Sequence, residues 1–202
     1  MLTQTVIDYE WIPHSYSPVK SLPFGQSLAP KPLIFYIVES HQRPVNVLDI
    51  GFGAGGLGKM IRQNSSSVHW AVDGVDAFLP NCLNQQLIAE KVYRNLWHGD
   101  VRMVGSDFLS KYDVICLLDV IEHLDDPRRA LRECRSHIMT GGWIFLSTPD
   151  TGSLVARAMG RRWHYQDPVQ HINLLSRRNL DRLLLESGFR AVEHITLVEP
   201  TG

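Results

Sequence analysis

Three observations predict an α/β fold built on a doubly wound, mostly parallel sheet. Short β-branched runs alternate with helix-forming segments from residue 45 to the end of the chain. Tyr112 to Leu118 is nearly continuous in apolar character, as a strand covered on both faces must be. A cluster of glycines, Gly51 to Gly56, follows directly on the first of the runs. Parallel neighbours need long crossovers, so strand–helix alternation implies a parallel sheet with helices on its faces.

The elements follow in order. Residues 1 to about 30 hold Pro13, Pro18, Pro23 and Pro30 among several serines, which predicts an irregular extension, with a lid as the role considered for it. Leu33 to Glu39 reads as a short helix ending near Pro44, so the extension spans 1–44 and the folded domain 45–202. Val45 to Ile50 is the first strand, and a helix follows the glycines through Arg62. Val68 to Val75 is the second strand, closed by Asp76; Leu83 to Lys91 reads as helix. Tyr93 to His98 is the third strand, ending at Gly99-Asp100, and Tyr112 to Leu118 the fourth. An aspartate, Asp125 or Asp126, then caps a helix that Pro127 opens and Gly141-Gly142 stop. Trp143 to Thr148 is the fifth strand, residues 149–175 a less regular insertion, Arg177 to Glu186 a helix, and Ala191 to Val198 the sixth strand.

With 202 residues the chain suits one compact domain. A formal net charge of -1 gives no electrostatic reason to expect a nucleic-acid or membrane partner. Arg161-Arg162 and Arg177-Arg178 are too short to make a basic tract. Cys82, Cys116 and Cys134 are odd in number and lack a CxxC pair, which argues against disulfides or a zinc knuckle and fits a reducing cytoplasm. No signal-peptide pattern opens the sequence, and its apolar stretches are too short for a membrane span.

In a sheet of this kind ligands sit at the carboxyl ends of the strands, near the point where strand order reverses. Gly51, Gly53 and Gly55 fall there. Glycine is required where a turn needs positive φ or a ligand approaches the backbone closely. Acids stand at the ends of the first three strands: Asp49 before the loop, Asp76 after the second strand and Asp100 after the third. Asp76 is placed to accept from ribose hydroxyls and Asp100 from an adenine amino group. Gly51-x-Gly53-x-x-Gly56 with Asp76 also fits a dinucleotide fingerprint, so a nicotinamide-dependent oxidoreductase is one alternative. Asp49 tips the balance toward a cofactor that carries a cation.

Asp49-x-Gly51-x-Gly53-x-Gly55 resembles motif I of the class I S-adenosylmethionine-dependent methyltransferases, whose fold is Rossmann-like. Segments Asp119 to Leu124 and Gly141 to Asp150, then His171 to Phe189, are similar to the subgroup containing the ubiquinone-biosynthesis O-methyltransferases. The resemblance covers roughly residues 45 to 198. It implies S-adenosylmethionine as cofactor and a small-molecule acceptor, methylated at oxygen in preference to nitrogen or carbon. By the same resemblance Gly51, Gly53 and Gly55 face the methionine part with Asp49 near its ammonium group. Asp76 holds the ribose, Asp100 and Val101 face the adenine, and Leu118 and Asp119 lie beside the reacting methyl.

A hydroxyl acceptor benefits from proton removal by a histidine or a metal. His123, directly after the fourth strand, and His171, in the insertion, are the candidate catalytic residues, with Trp163, His164 and Tyr165 as a candidate aromatic wall. Relatives of the ubiquinone type associate a divalent cation with positions matching Asp119, Glu122 and His123. Two carboxylates and one histidine are a thin set, so no metal site is assigned.

The family sheet has a seventh, antiparallel strand, whereas this chain ends at Gly202, a few residues past the sixth. That strand is therefore expected to be truncated, missing or supplied elsewhere, and an open edge would favour pairing with a second copy as a homodimer. A catalytically silent methyltransferase-like binding module is the remaining alternative. The Asn/Asp-Pro-Pro-aromatic loop of amino-methylating DNA enzymes does not occur after the fourth strand.

Overall fold

The computed structural model describes residues 2–8, 44–64, 70–103, 111–166 and 169–197. The expected helix at Leu33 to Glu39 lies outside them. Seven strands form one sheet: β1 (Leu2–Asp8), β2 (Val45–Ile50), β3 (Trp70–Asp76), β4 (Asn95–His98), β5 (Tyr112–Leu118), β6 (Ile138–Pro149) and β7 (Arg190–Leu197). Their spatial order is β4-β3-β2-β5-β6-β1-β7. The first five in that order run parallel, and β1 is antiparallel to both β6 and β7. The doubly wound arrangement expected from the sequence is the one observed.

Helices cover both faces because the central strands are apolar on both. Along β2, Leu48 and Ile50 face one side, and Val45 and Val47 the other. Ile115 and Leu117 of β5 share the first face, Val114 and Cys116 the second. The first face is covered by α3 (Pro127–His137) and α5 (Arg177–Glu186), through Leu131, Cys134 and Leu184. Against the second pack α1 (Gly56–Asn64) and α2 (Asn81–Ala89), through Leu57, Ile61 and Leu87. Truncating any one of these fully buried aliphatics to alanine costs about 2–5 kcal/mol.

Local chemistry sets the boundaries. Asp126 caps α3 by accepting the Arg129 N–H at 2.9 Å, with Pro127 in the first turn. That helix ends at His137, and β6 begins at once at Ile138. The pairing of β6 with β5 is irregular between the Tyr112 and Val114 positions, where Gly141 turns at φ +76°. The glycines thus mark a bulge inside a longer strand, where the sequence suggests a gap before Trp143. Within the insertion, Leu154–Met159 forms a short helix, α4, capped by Ser153.

The slot for the seventh strand is filled from the other end of the chain. Leu2 pairs with Pro149 of β6 and Leu197 of β7, and Asp8 with Trp143 and Arg190. The irregular extension expected over residues 1 to about 30 is therefore ordered strand at Leu2–Asp8. The open edge on which pairing between copies was expected is occupied by β1. Among the described residues no helix is long and apolar enough to cross a membrane.

Candidate functional site

Strand order reverses between β2 and β5, the place where ligands sit in a sheet of this kind. A cavity of about 430 Å³ opens at this point, walled by the ends of β2, β3 and β5 and the segments that follow them. Its size is that of a small-ligand site. Gly51, Asp76, Asp100, Val101, Asp119 and His123 line it. Of the other sequence-predicted residues, Asp49, Gly53, Gly55, Leu118 and His171 are not among its walls.

The glycine loop is shaped by backbone need. Gly51 sits at φ +68°, and a Cβ there would lie 2.4 Å from Val120 Cγ2. Any larger residue would clash with Val120, itself a wall of the cavity. Asp76 ties the loop to the end of β3: its Oδ2 accepts the Gly53 N–H at 2.8 Å and its Oδ1 the Phe78 N–H at 2.8 Å. One carboxylate thus fixes the loop and presents charge at the rim.

Asp49 lies behind the loop, only 2% exposed. The Tyr93 hydroxyl donates to its Oδ2 at 2.7 Å. Burial pushes the Asp49 carboxyl up to about 7, against the lowering effect of that hydrogen bond, and the Asp76 charge adds to the rise. A buried acid with no cationic partner among the described residues suits a ligand that brings a cation.

Asp100 is more engaged than the sequence suggests. It accepts the Arg102 N–H at 2.8 Å and the Arg102 side chain through Nε at 2.8 Å and Nη2 at 2.5 Å. These bonds hold its carboxyl below the usual carboxylate range. Arg102 also pairs with Asp125, across the cavity on the approach to α3. Arg102 lines the cavity, a role that sequence reasoning missed; its signal was only an arginine two residues after a predicted acceptor.

At the end of β5, Asp119 adopts φ +57°, unusual outside glycine. A turn at Ile121–His123 follows, placing His123 on the cavity wall and Glu122 in the interior, 1% exposed. Burial raises the Glu122 carboxyl above the ordinary range. The His123 and His171 rings lie 4.9 Å apart. His123 Nδ1 is 2.6 Å from the Gln170 carbonyl, and His171 Nδ1 is 2.8 Å from that of Tyr165. A carbonyl only accepts, so each Nδ1 carries a proton and Nε2 is the nitrogen left to exchange one. Aromatic rings continue outward: Tyr165 is 5.8 Å from His171, 4.0 Å from His164 and 5.3 Å from Trp163.

Glu122, His123 and His171 each offer a ligand atom within 4.8 Å of the others. Two imidazoles and a carboxylate suit a divalent cation, so the residues fit one. The set differs from Asp119, Glu122 and His123: His171 stands in place of Asp119, whose Oδ1 accepts from Ser147.

Fold, switch-point cavity, glycine loop and strand-end acids together define a nucleotide-type cofactor site in a class I methyltransferase architecture. The methyltransferase-domain family (Methyltransf_23) matches residues 26–194, and the chain belongs to it. The chain is 29% identical over 119 residues to a ubiquinone biosynthesis O-methyltransferase of Nitrosospira multiformis, a match covering 58% of this chain and 49% of that one. A protein of the same name from Pseudomonas aeruginosa is 32% identical over 104 residues, covering 50% and 43%. The match thus spans about half the length of these relatives. Among solved structures, a SAM-dependent methyltransferase from Archaeoglobus fulgidus superposes with a TM-score of 0.58 at 21% identity, covering 80% of this chain and 68% of that one. The plantazolicin methyltransferase BamL, solved with a triazolic desmethylPZN analog and SAH, gives 0.60 at 17%, covering 78% and 59%. S-adenosylmethionine is accordingly the cofactor of this class. The Gly51 cradle and the strand-end acids fit it.

Proposed function

We propose that the protein transfers a methyl group from S-adenosylmethionine to a hydroxyl oxygen of a small, planar acceptor. The observation that carries this reading is the His123–His171 pair, with both Nδ1 atoms committed to backbone carbonyls beside the cavity. Bound in the cavity, the cofactor supplies a methyl carbon already activated by positive sulfur. Gly51, Asp76, Asp100, Val101 and Asp119, which line the cavity, would hold it, with Asp49, Gly53 and Gly55 supporting the loop from behind and Leu118 supporting the end of β5. His123 takes the acceptor's proton at Nε2, and His171 packs against its ring at 4.9 Å between centroids. General-base assistance of this kind contributes about 10²–10⁴-fold. Tyr165, His164 and Trp163 offer faces against which a planar acceptor can lie. The names of the ubiquinone-type relatives support an oxygen acceptor.

A divalent cation held by Glu122, His123 and His171 is a second reading, favoured by the approach of their ligand atoms to within 4.8 Å. It would lower the hydroxyl's pKa in place of a base. The nicotinamide alternative is not favoured, since the matched family and relatives are methyltransferases.

Transfer of isotopically labelled methyl to a panel of phenols, catechols and aliphatic alcohols tests the proposal. Labelled ether with the intact protein, reduced about 10²-fold or more in His123→Ala, is expected. Cofactor binding without labelling of any acceptor would point instead to a silent binding module. Loss of activity on chelation, restored by zinc, would favour the cation.

A further inference from the structure

Tyr93 stands on the turn before β4 and takes no part in the chemistry above, yet it packs against the cofactor loop and the elements that flank it. Its hydroxyl donates to Asp49 at 2.7 Å. Its ring centroid lies 5.2 Å from that of Phe52, inside the loop. Glycines clear the space around it. A Cβ on Gly58 would sit 2.6 Å from Tyr93 Cζ, one on Gly74 3.1 Å from Cε1, and one on Gly55 3.3 Å from Cε2. Gly58 lies within helix α1, where glycine costs about 1 kcal/mol against alanine and needs a reason. Gly74 lies in β3 directly opposite Asp49. Gly58 thus serves to seat the tyrosine, while Gly55 and Gly74 make room first for Leu87 and for Phe52 and Leu96.

We propose that Tyr93 is a positioning residue for cofactor binding: it aims the Asp49 carboxylate and braces the glycine loop against it. This rests on the S-adenosylmethionine reading of the cavity. Among the described residues, three ionisable groups face Asp49, each from a different element. Asp76 comes from the end of β3, Cys116 from the neighbouring strand β5, and Tyr93 from the turn before β4. Asp76 repels the Asp49 charge, and the thiol of Cys116 is itself pushed up by burial. Tyr93 alone among them favours the ionised carboxylate, which otherwise stands in a desolvated position. Its own hydroxyl is pushed far above the ordinary tyrosine range, so it stays a donor at all working pH values. An ionised Asp49 is the form that an ammonium group needs.

Tyr93→Phe separates the two contributions, because phenylalanine keeps the ring against Gly55, Gly58 and Gly74 and removes only the donor. Two measurements on the intact chain follow. The first is the titration of the Asp49 carboxyl by carbon NMR without cofactor; the second is the affinity for S-adenosylhomocysteine by calorimetry from pH 6 to 9. A folded Tyr93→Phe protein is expected to titrate Asp49 at higher pH than the wild type. Its affinity at pH 7 is expected to fall roughly ten-fold and to recover at high pH. Tyr93→Leu, which also loses the ring, should stay weak across the whole range. An unchanged Asp49 midpoint together with an unchanged affinity profile in Tyr93→Phe would overturn the proposal. Absence of binding by the wild type would overturn the cofactor reading, while the NMR titration would still judge the Tyr93–Asp49 link.

Discussion

Ser147 and Asp119 grip each other across the carboxyl ends of β5 and β6. The Ser147 Oγ–H donates to Asp119 Oδ1 at 2.8 Å, and Ser147 Oγ accepts the Asp119 N–H at 2.9 Å. Asp119 is held at φ +57° on the cavity wall, a conformation that costs a non-glycine residue on the order of 1 kcal/mol. Strain retained at a ligand-facing position needs such over-determination. Ser147→Ala removes both bonds from a site that is 2% exposed at the serine. It should cost about 1–3 kcal/mol, a Tm drop of roughly 3–10 °C, and weaken cofactor binding. Thermal melts with and without S-adenosylhomocysteine would reveal this; equal melts for mutant and wild type would mean that the grip is idle.

Asp76 carries a double duty that its substitution should expose. Its two oxygens already hold the Gly53 and Phe78 amides at 2.8 Å each. Asp76→Asn keeps one acceptor oxygen and its shape, whereas Asp76→Ala keeps neither. Affinity for S-adenosylmethionine is expected to fall about ten-fold in the first and 10²-fold or more in the second. Isothermal calorimetry distinguishes the two, and equal losses would say that charge alone matters there.

Much of this site was legible because it is local in sequence. The glycine loop and the strand-end acids each sit at the end of a strand whose apolar run is visible. Other features needed the fold. His123 and His171 meet only because the insertion folds back over the end of β5, and no periodicity signals that return. Tyr93 read as the first residue of a strand, while its function lies two strands away at Asp49. Leu2–Asp8 is a β-branched run, but the prolines beyond it dominated the reading of the N-terminal region. Which strand fills an antiparallel slot is a question of topology, and propensity does not answer it.

Asp49 makes stability depend on pH in a stated direction. Its carboxyl rises from 3.8 to about 7 on folding, chiefly through burial. The folded state therefore binds the proton more tightly than the unfolded chain between those values. Stability from this group is present below the unfolded value and is lost as pH climbs through about 7. Its full size is on the order of 4 kcal/mol. Asp49→Asn should melt higher than the wild type at pH 8 and about equal to it at pH 4.5, while binding cofactor poorly at both. Parallel melting curves at the two pH values would contradict the assignment.

The N-terminal strand gives the most direct test of the fold. Thr5 stands in the middle of β1, opposite Leu146 of β6 and His194 of β7. β1 is an interior strand, so each of its amides belongs to a ladder on one side or the other. Proline there removes a donor and fits poorly in an interior strand, costing about 3 kcal/mol or more. β7 is joined to the sheet through β1, so losing this strand would also detach β7 and bare the edge of β6. Thr5→Pro is thus expected to lower Tm by roughly 5–10 °C and to promote aggregation through the exposed edge. Hydrogen exchange provides a local readout: the amides of Leu2–Asp8 should be protected in the wild type and exchange freely in the variant. Rapid exchange of those amides in the wild type would mean that the antiparallel slot is not held by this strand in solution.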